Sequence, residues 1–183
     1  MIEKYRTVIK GTRPLMVNRY PLEEAATGKG KAPKPTVFDK EKETEKCLYK
    51  NAEGIIYIPA EHIEGAMIHG AAKIRIGAGQ GKKTFKKLVA QDVIIMPREI
   101  PFKEPKDPSK YIIDLTTGVI PSTGGRVPIA RPRWDEWSLE FTIINNNPGD
   151  ISIETMENIL IEAGKEGIGT YRLKYGKFEV EGI

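Results

Sequence analysis

From Trp137 to Ile144 the chain reads Trp, Ser, Leu, Glu, Phe, Thr, Ile, Ile. That alternation is the period of a β-strand, so Trp137, Leu139, Phe141 and Ile143 share one face that another layer must cover. The following residues narrow the choice of layer. Asn145, Asn146, Asn147, Pro148, Gly149 and Asp150 make a turn, and Ser152 is placed to cap a helix. Ile153, Met156, Ile159, Leu160 and Ala163 recur at helical spacing, and Gly164 marks the stop. A last strand over residues 177–180 completes a β-α-β unit with a glycine-rich connection between its helix and final strand. This is the plan of half a ferredoxin-like split βαβ sheet, and the fold class is α+β.

The first half reads compatibly. Residues 4–17 carry the alternation Tyr5, Thr7, Ile9, then Gly11 and the apolar Leu15, Met16 and Val17, which predicts an opening strand that bends at Gly11. A short strand over 55–58 meets Pro59, and a helix is predicted over 60–74. Its apolar stripe is Ile63, Ala66, Met67, Gly70, Ala71 and Ile74, mostly small residues suited to close packing on a sheet. A short helix near 84–89 precedes a strand over 93–96. Residues 111–115 and 127–130 are read as two arms of an antiparallel ribbon joined through residues 120–125. Two segments stand apart as insertions. Residues 21–46 are rich in Pro, Gly, Lys and Glu without apolar periodicity, and the lysine-rich stretch 29–50, balanced by Asp39, Glu41, Glu43 and Glu45, reads as a solvated loop. Residues 97–125 begin with a Pro-rich connection over 97–108 and form the second insertion.

With 183 residues the chain supports one domain, expected to span 1–183. No apolar run approaches the ~18 residues of a membrane span, and the N-terminus has no signal-peptide pattern. A cytoplasmic protein without a membrane partner is therefore expected. The single cysteine, Cys47, and the two histidines, His62 and His69, cannot build a structural zinc site, and no serine or cysteine sits in a nucleophile motif. No metal and no cofactor are expected.

The net charge of +4 matters through its distribution. Between Lys73 and Gln91 lie Lys73, Arg75, Lys82, Lys83, Lys86 and Lys87, with no carboxylate among them. A second group is Arg126, Arg131 and Arg133, close to Trp134 and Trp137. A third is Lys165, Arg172, Lys174 and Lys177, set among Tyr171, Tyr175 and Phe178. Cations beside aromatics grip a phosphate backbone and stack exposed bases, whereas cations alone equally describe a solvated surface. Trp137 is in phase with Leu139 and Phe141 and belongs to the core. Trp134 is out of that pattern and is the expected stacking residue.

Two landmarks carry a resemblance. Ile58-Pro59-Ala60-Glu61-His62-Ile63-Glu64-Gly65-Ala66-Met67 resembles the I-P-x-S-x-φ-x-G-A-φ helix opening, φ being apolar, of the RAMP superfamily of CRISPR-associated RNA-binding proteins. Glu61 and His62 depart from its serine-type positions. Gly167-Ile168-Gly169-Thr170-Tyr171-Arg172, followed by Gly176-Lys177-Phe178, is similar to the glycine-rich loop those proteins carry between their last helix and last strand. The tail, from Arg131-Pro132-Arg133 onward, also resembles small proteins encoded by phages and proviruses. The resemblance implies a ferredoxin-like or RRM-like antiparallel sheet with two helices and long insertions. It also implies that single-stranded nucleic acid, RNA or DNA, is held along the sheet and the glycine loop. There, Gly167 and Gly169 would let backbone N–H groups approach phosphates, Arg172 and Lys174 would supply charge, and Tyr171 a stacking face. The partners so expected are single-stranded RNA or DNA and further protein copies or subunits of a nucleoprotein complex.

Catalysis is the competing class. His62 and His69, seven apart on a helix, lie about 20° from one another around its axis, with Lys73 one turn farther on. One histidine acting as general base on a ribose 2′-hydroxyl, with Lys73 stabilising the phosphorane, describes a metal-independent ribonuclease, which the resemblance permits without requiring. Ordinary surface histidines give the same spacing. The readings that stand are a sequence-tolerant single-strand binder, an endoribonuclease, and an assembly subunit of a phage or effector complex.

Overall fold

The computed structural model describes residues 2–20, 37–77, 83–172 and 174–183. Lys82 and residues 21–36 of the first expected insertion lie outside the described residues.

Strand β1 (Glu3–Gly11) is the spine of the larger sheet. It pairs antiparallel with β8 (Ser138–Asn145) on one side and with β9 (Phe178–Gly182) on the other. The far side of β8 is shared by two consecutive strands, β4 (Val93–Met96) and β5 (Glu99–Glu104), and β5 pairs onward with β3 (Tyr57–Pro59). With α2 (Ala60–Ala71) leading from β3 towards β4 and α4 (Ile153–Glu166) joining β8 to β9, the core order is that of a ferredoxin-like α+β fold. β4 and β5 together stand for one of its strands. The strand expected over 55–58 is displaced to β3, and the connection over 97–108 contains β5, so part of the second expected insertion lies in the central sheet.

The alternation that predicts β8 is realised: Trp137, Leu139, Phe141 and Ile143 are buried together with Ile9, Ile95 and Val93. Helices α2 and α4 cover this face. The stripe of small residues on α2 does not chiefly serve the sheet, however. At Gly70 a β-carbon would lie 2.6 Å from the Ile159 carbonyl oxygen and 2.7 Å from the Ala163 nitrogen, both backbone atoms of α4. The tight contact is helix against helix, and glycine sets its distance. Helix α2 also ends sooner than expected, at Ala71, while α4 runs through the expected stop at Gly164 to Glu166. The Ser152 hydroxyl accepts the Thr155 N–H, so the predicted N-cap is realised.

The second sheet holds β2 (Leu15–Met16), β7 (Arg126–Trp134) and β6 (Ile112–Val119), in the order β2-β7-β6. β6 and β7 form the predicted ribbon, longer than expected and in unbroken register from Ile112 opposite Arg133 to Val119 opposite Arg126. Against β7 lies α1 (Lys40–Lys46), where a loop was expected. The Asp39 carboxylate accepts the Lys42 N–H at 3.1 Å, and Thr44 and Leu48 are buried. Good capping and two anchoring side chains order a segment whose composition is otherwise that of a loop. Helix α3 (Lys86–Asp92) follows its expectation with a later end.

Candidate nucleic-acid interface

The connection from α4 to β9 is built by contact with the opening of the chain. The Thr170 N–H donates to the Met16 carbonyl at 2.8 Å, and the Gly176 N–H to the Pro14 carbonyl at 2.7 Å. The Ile168 N–H donates to Gly176 and the Gly167 N–H to Ala163. Gly169, at φ +78°, lies so close that a β-carbon would overlap the Met16 carbonyl oxygen. These N–H groups are therefore spent on protein carbonyls and do not face a ligand. Gly167, expected to present its N–H to phosphate, spends it on Ala163, which corrects that part of the phosphate-cradle expectation, while Gly169 lets the loop lie close against β2.

Tyr171 is what the loop offers first. It has a left-handed backbone, φ +55°, fixed by the Lys174 and Tyr175 N–H groups, which both donate to its carbonyl. Its side of the loop is open, with Tyr171 47% exposed. The guanidinium of Arg131, from β7, lies 5.5 Å from its ring centroid and donates to the Cys47 Sγ at 3.9 Å. Arg131 thus backs one face of the ring. Burial raises the Cys47 thiol pKa against the opposing pull of Arg131, so this thiol stays protonated at neutral pH.

Beside Tyr171 opens a groove of about 800 Å³. Lys165 comes from α4, and Arg172, Lys174, Tyr175 and Lys177 from the loop. His69 comes from α2, and Asp114, Thr116 and Thr117 from β6. The sequence shows the cationic cluster, but the β6 wall is visible only in three dimensions because nothing in Asp-Leu-Thr-Thr marks it. The acids here are already engaged: Asp114 pairs with Arg133 at 2.5 Å, and Glu166 pairs with Lys73. Hydrogen bonding to Lys73 lowers the Glu166 pKa and raises that of Lys73.

A second groove, of about 760 Å³, lies at α3, lined by Lys83, Lys86 and Lys87 with Thr84, Leu88 and Asp150. Arg75, which bridges to Thr84, stands near it. The predicted cluster thus divides. Lys83, Lys86 and Lys87 stay together, whereas Lys73 is turned to Glu162 and Glu166 of α4.

Two further expectations are corrected. Trp134 is 3% exposed, packed on Phe102 at 4.8 Å and Tyr111 at 6.0 Å, and its indole N–H donates to the Pro108 carbonyl at 2.9 Å. It is a core residue, because β2 and β5 close over a position that strand phase alone leaves outside. Arg133 is held by Asp114 and Asp135, while Arg126 is exposed at the end of β7. The two histidines also part. His69 enters the first groove, while His62 is half-buried with its ring edge-on to Tyr49 at 5.4 Å, and Nδ1 has no partner among the described residues. Burial lowers the His62 pKa, Arg172 acts in the same direction, and Glu61 opposes them. Lys73 and, more weakly, His69 both lower the pKa of Glu166, while His62 packs against Tyr49. Glu61, at a departure from the helix-opening pattern, joins Glu64 in holding Arg98, and Glu64 accepts the Ile95 N–H at 3.0 Å.

The open face of the large sheet carries the ion pairs of Glu140 with Arg6 and Lys103, beside exposed Ile94 and Met96. Among the described residues of β1, β4, β8 and β9 it offers no exposed aromatic ring, whereas the loop exposes Tyr171. No helix among the described residues is long and apolar enough to cross a membrane.

No protein-family model and no curated protein matches the sequence. Among solved structures, the fold is similar to a chain of the Type III-B Cmr-beta, solved by cryo-EM bound to cognate target RNA. The identity is 14% and the TM-score 0.51, over 97% of this chain and 59% of that one, so this chain spans about three fifths of its length. It is also similar to Cmr6 from Pyrococcus furiosus, at 14% identity and a TM-score of 0.48, over 97% of this chain and 98% of that one. The likeness is one of fold.

Proposed function

We propose that this protein binds single-stranded nucleic acid without sequence preference, in the groove between the α4–β9 loop and β6. One observation carries the reading. Lys165, Arg172, Lys174 and Lys177 line a single groove with the exposed ring of Tyr171, so phosphate-pairing cations and a stacking face stand side by side. Their acidic neighbours Asp114 and Glu166 are neutralised within the protein by Arg133 and Lys73, while Lys165 pairs with Glu162 and Lys177 donates to the Lys165 carbonyl, so Arg172 and Lys174, with the charge of Lys177, are what the loop offers a ligand. The fold shared with a chain of an assembly solved on its target RNA supports RNA as the first ligand to try, and a place in a nucleoprotein complex as the setting.

The test is fluorescence anisotropy of labelled single-stranded RNA, single-stranded DNA and duplex DNA at two salt concentrations, with the same samples run on a denaturing gel. Tight, salt-sensitive binding of intact single strands is expected. Equal preference for duplex, or no binding at low salt, would overturn the reading and turn the basic grooves toward protein partners in an assembly. His69 is the one candidate histidine that lines the groove. Cleaved RNA that disappears with His69→Ala would make the protein a ribonuclease.

A further inference from the structure

We propose that the outer edge of β6 docks a second copy of this chain, β6 against β6, antiparallel across a two-fold axis. In the sheet β2-β7-β6, β6 is terminal, and among the described residues no strand lies on its far side. Its register with β7 is unbroken over all eight residues, so it presents a straight row of unpaired N–H and C=O groups about 26 Å long. Edge strands are ordinarily blunted by lysine, proline, a bulge or a covering element. β6 has none of the first three: Ile112, Ile113, Asp114, Leu115, Thr116, Thr117, Gly118 and Val119 include no cation and no proline. β7 makes the contrast, since it carries Pro128, Pro132 and three arginines, and β2 and Cys47, just past α1, meet its other edge.

The chemistry of the strand selects the occupant. Ile112, Leu115 and Val119 are 46%, 56% and 62% exposed, so the edge carries apolar surface at both ends and its middle. Its single charge, Asp114, is paired with Arg133 of the same chain, so an identical strand is not repelled. In the register centred on Thr116, each copy's Ile113 faces the other's Val119, Leu115 faces Thr117, the two Thr116 side chains meet, and Asp114 faces Gly118, never a second acid. Cross-strand apolar and threonine pairs of this kind are favourable. A nucleic acid would meet no cation on this strand, and it has no backbone ladder to match. Because β6 also lends Asp114, Thr116 and Thr117 to the groove, pairing sets the grooves of two copies side by side.

The inference stands apart from the binding proposal, and its test contains no nucleic acid. Nuclease-treated full-length protein is measured by size-exclusion chromatography with light scattering, and amide exchange is followed over residues 112–119 at several concentrations. The unsubstituted chain is expected to have a dimer mass and concentration-dependent protection over 112–119. Leu115→Lys with Val119→Lys, both at exposed positions, should give a monomer with an unchanged thermal melt and rapid exchange there. A monomeric unsubstituted chain, a dimer that survives the double lysine variant, or protection that ignores concentration would each overturn the assignment.

Discussion

Trp134 and Tyr171 each neighbour an arginine in sequence, and they have opposite roles. The Trp134 ring is enclosed by Phe102 and Tyr111 with its N–H bonded, so Trp134→Ala should cost about 3–5 kcal/mol of stability. Tyr171→Ala should leave the melt nearly unchanged and weaken single-strand binding by about 1–3 kcal/mol, the range of one stacked base. Thermal melts and anisotropy on both variants separate the two roles. His62 makes a prediction in pH. Its pKa is lowered in the folded protein below the ordinary 6.5, so below that pH the unfolded chain binds the extra proton. Stability should therefore fall as the pH drops below 6.5 towards the lower folded value, and His62→Gln should flatten that part of the profile. Urea unfolding between pH 7.5 and 5 reads it, and a variant with the same slope would remove His62 as the cause.

Two glycines in α2 show how one residue type acts differently within one element. At Gly65 a β-carbon meets nothing within 4 Å, whereas at Gly70 it meets the backbone of α4. Gly65→Ala should stabilise by about 0.5–1 kcal/mol through helix propensity. Gly70→Ala has the same propensity gain, but the backbone of α4 cannot yield as a flexible side chain would, and a net loss of about 1–3 kcal/mol is expected. Equilibrium unfolding of the pair checks the opposite signs. The apolar stripe of α2 is legible in its sequence spacing. Which layer receives that stripe is not, because the distance of Gly70 from Ile159 and Ala163 depends on two segments about ninety residues apart. For α1 the local signals, Asp39 as cap with Glu41 and Glu43 in the first turn, are present in the sequence, and a reading dominated by composition passes over them.

Across the whole molecule the two basic grooves stand at opposite ends of α4, with Asp150 near its start at one and Glu166 at the other. At 1.5 Å per residue they are ~20 Å apart. A strand long enough to occupy both should bind more tightly than one confined to a single groove, since the second contact is intramolecular. Replacing Arg172, Lys174 and Lys177 together by alanine should flatten the salt dependence by roughly two units of log K per log salt, at ~0.7 for each lost phosphate contact on a single strand. Replacing Lys83, Lys86 and Lys87 should do so only for the longer strands. Anisotropy titrations against oligonucleotide length and salt check both outcomes, and a slope insensitive to either set would return these lysines to the solvated surface.

The sequence by itself determined β8, the capped helix α4, the ribbon and the β-α-β order of the tail, because period, caps and turns act between residues close in the chain. It also determined that cations and aromatics gather after α4. Only the tertiary structure decided which of them are available. Trp134 went inward, Arg133 and Lys73 went to carboxylates, and the Thr170 and Gly176 N–H groups of the glycine loop went to residues 16 and 14. Each of these outcomes is a pairing between distant segments. A polar or aromatic side chain takes whichever partner the fold brings within reach before it is free to take a ligand.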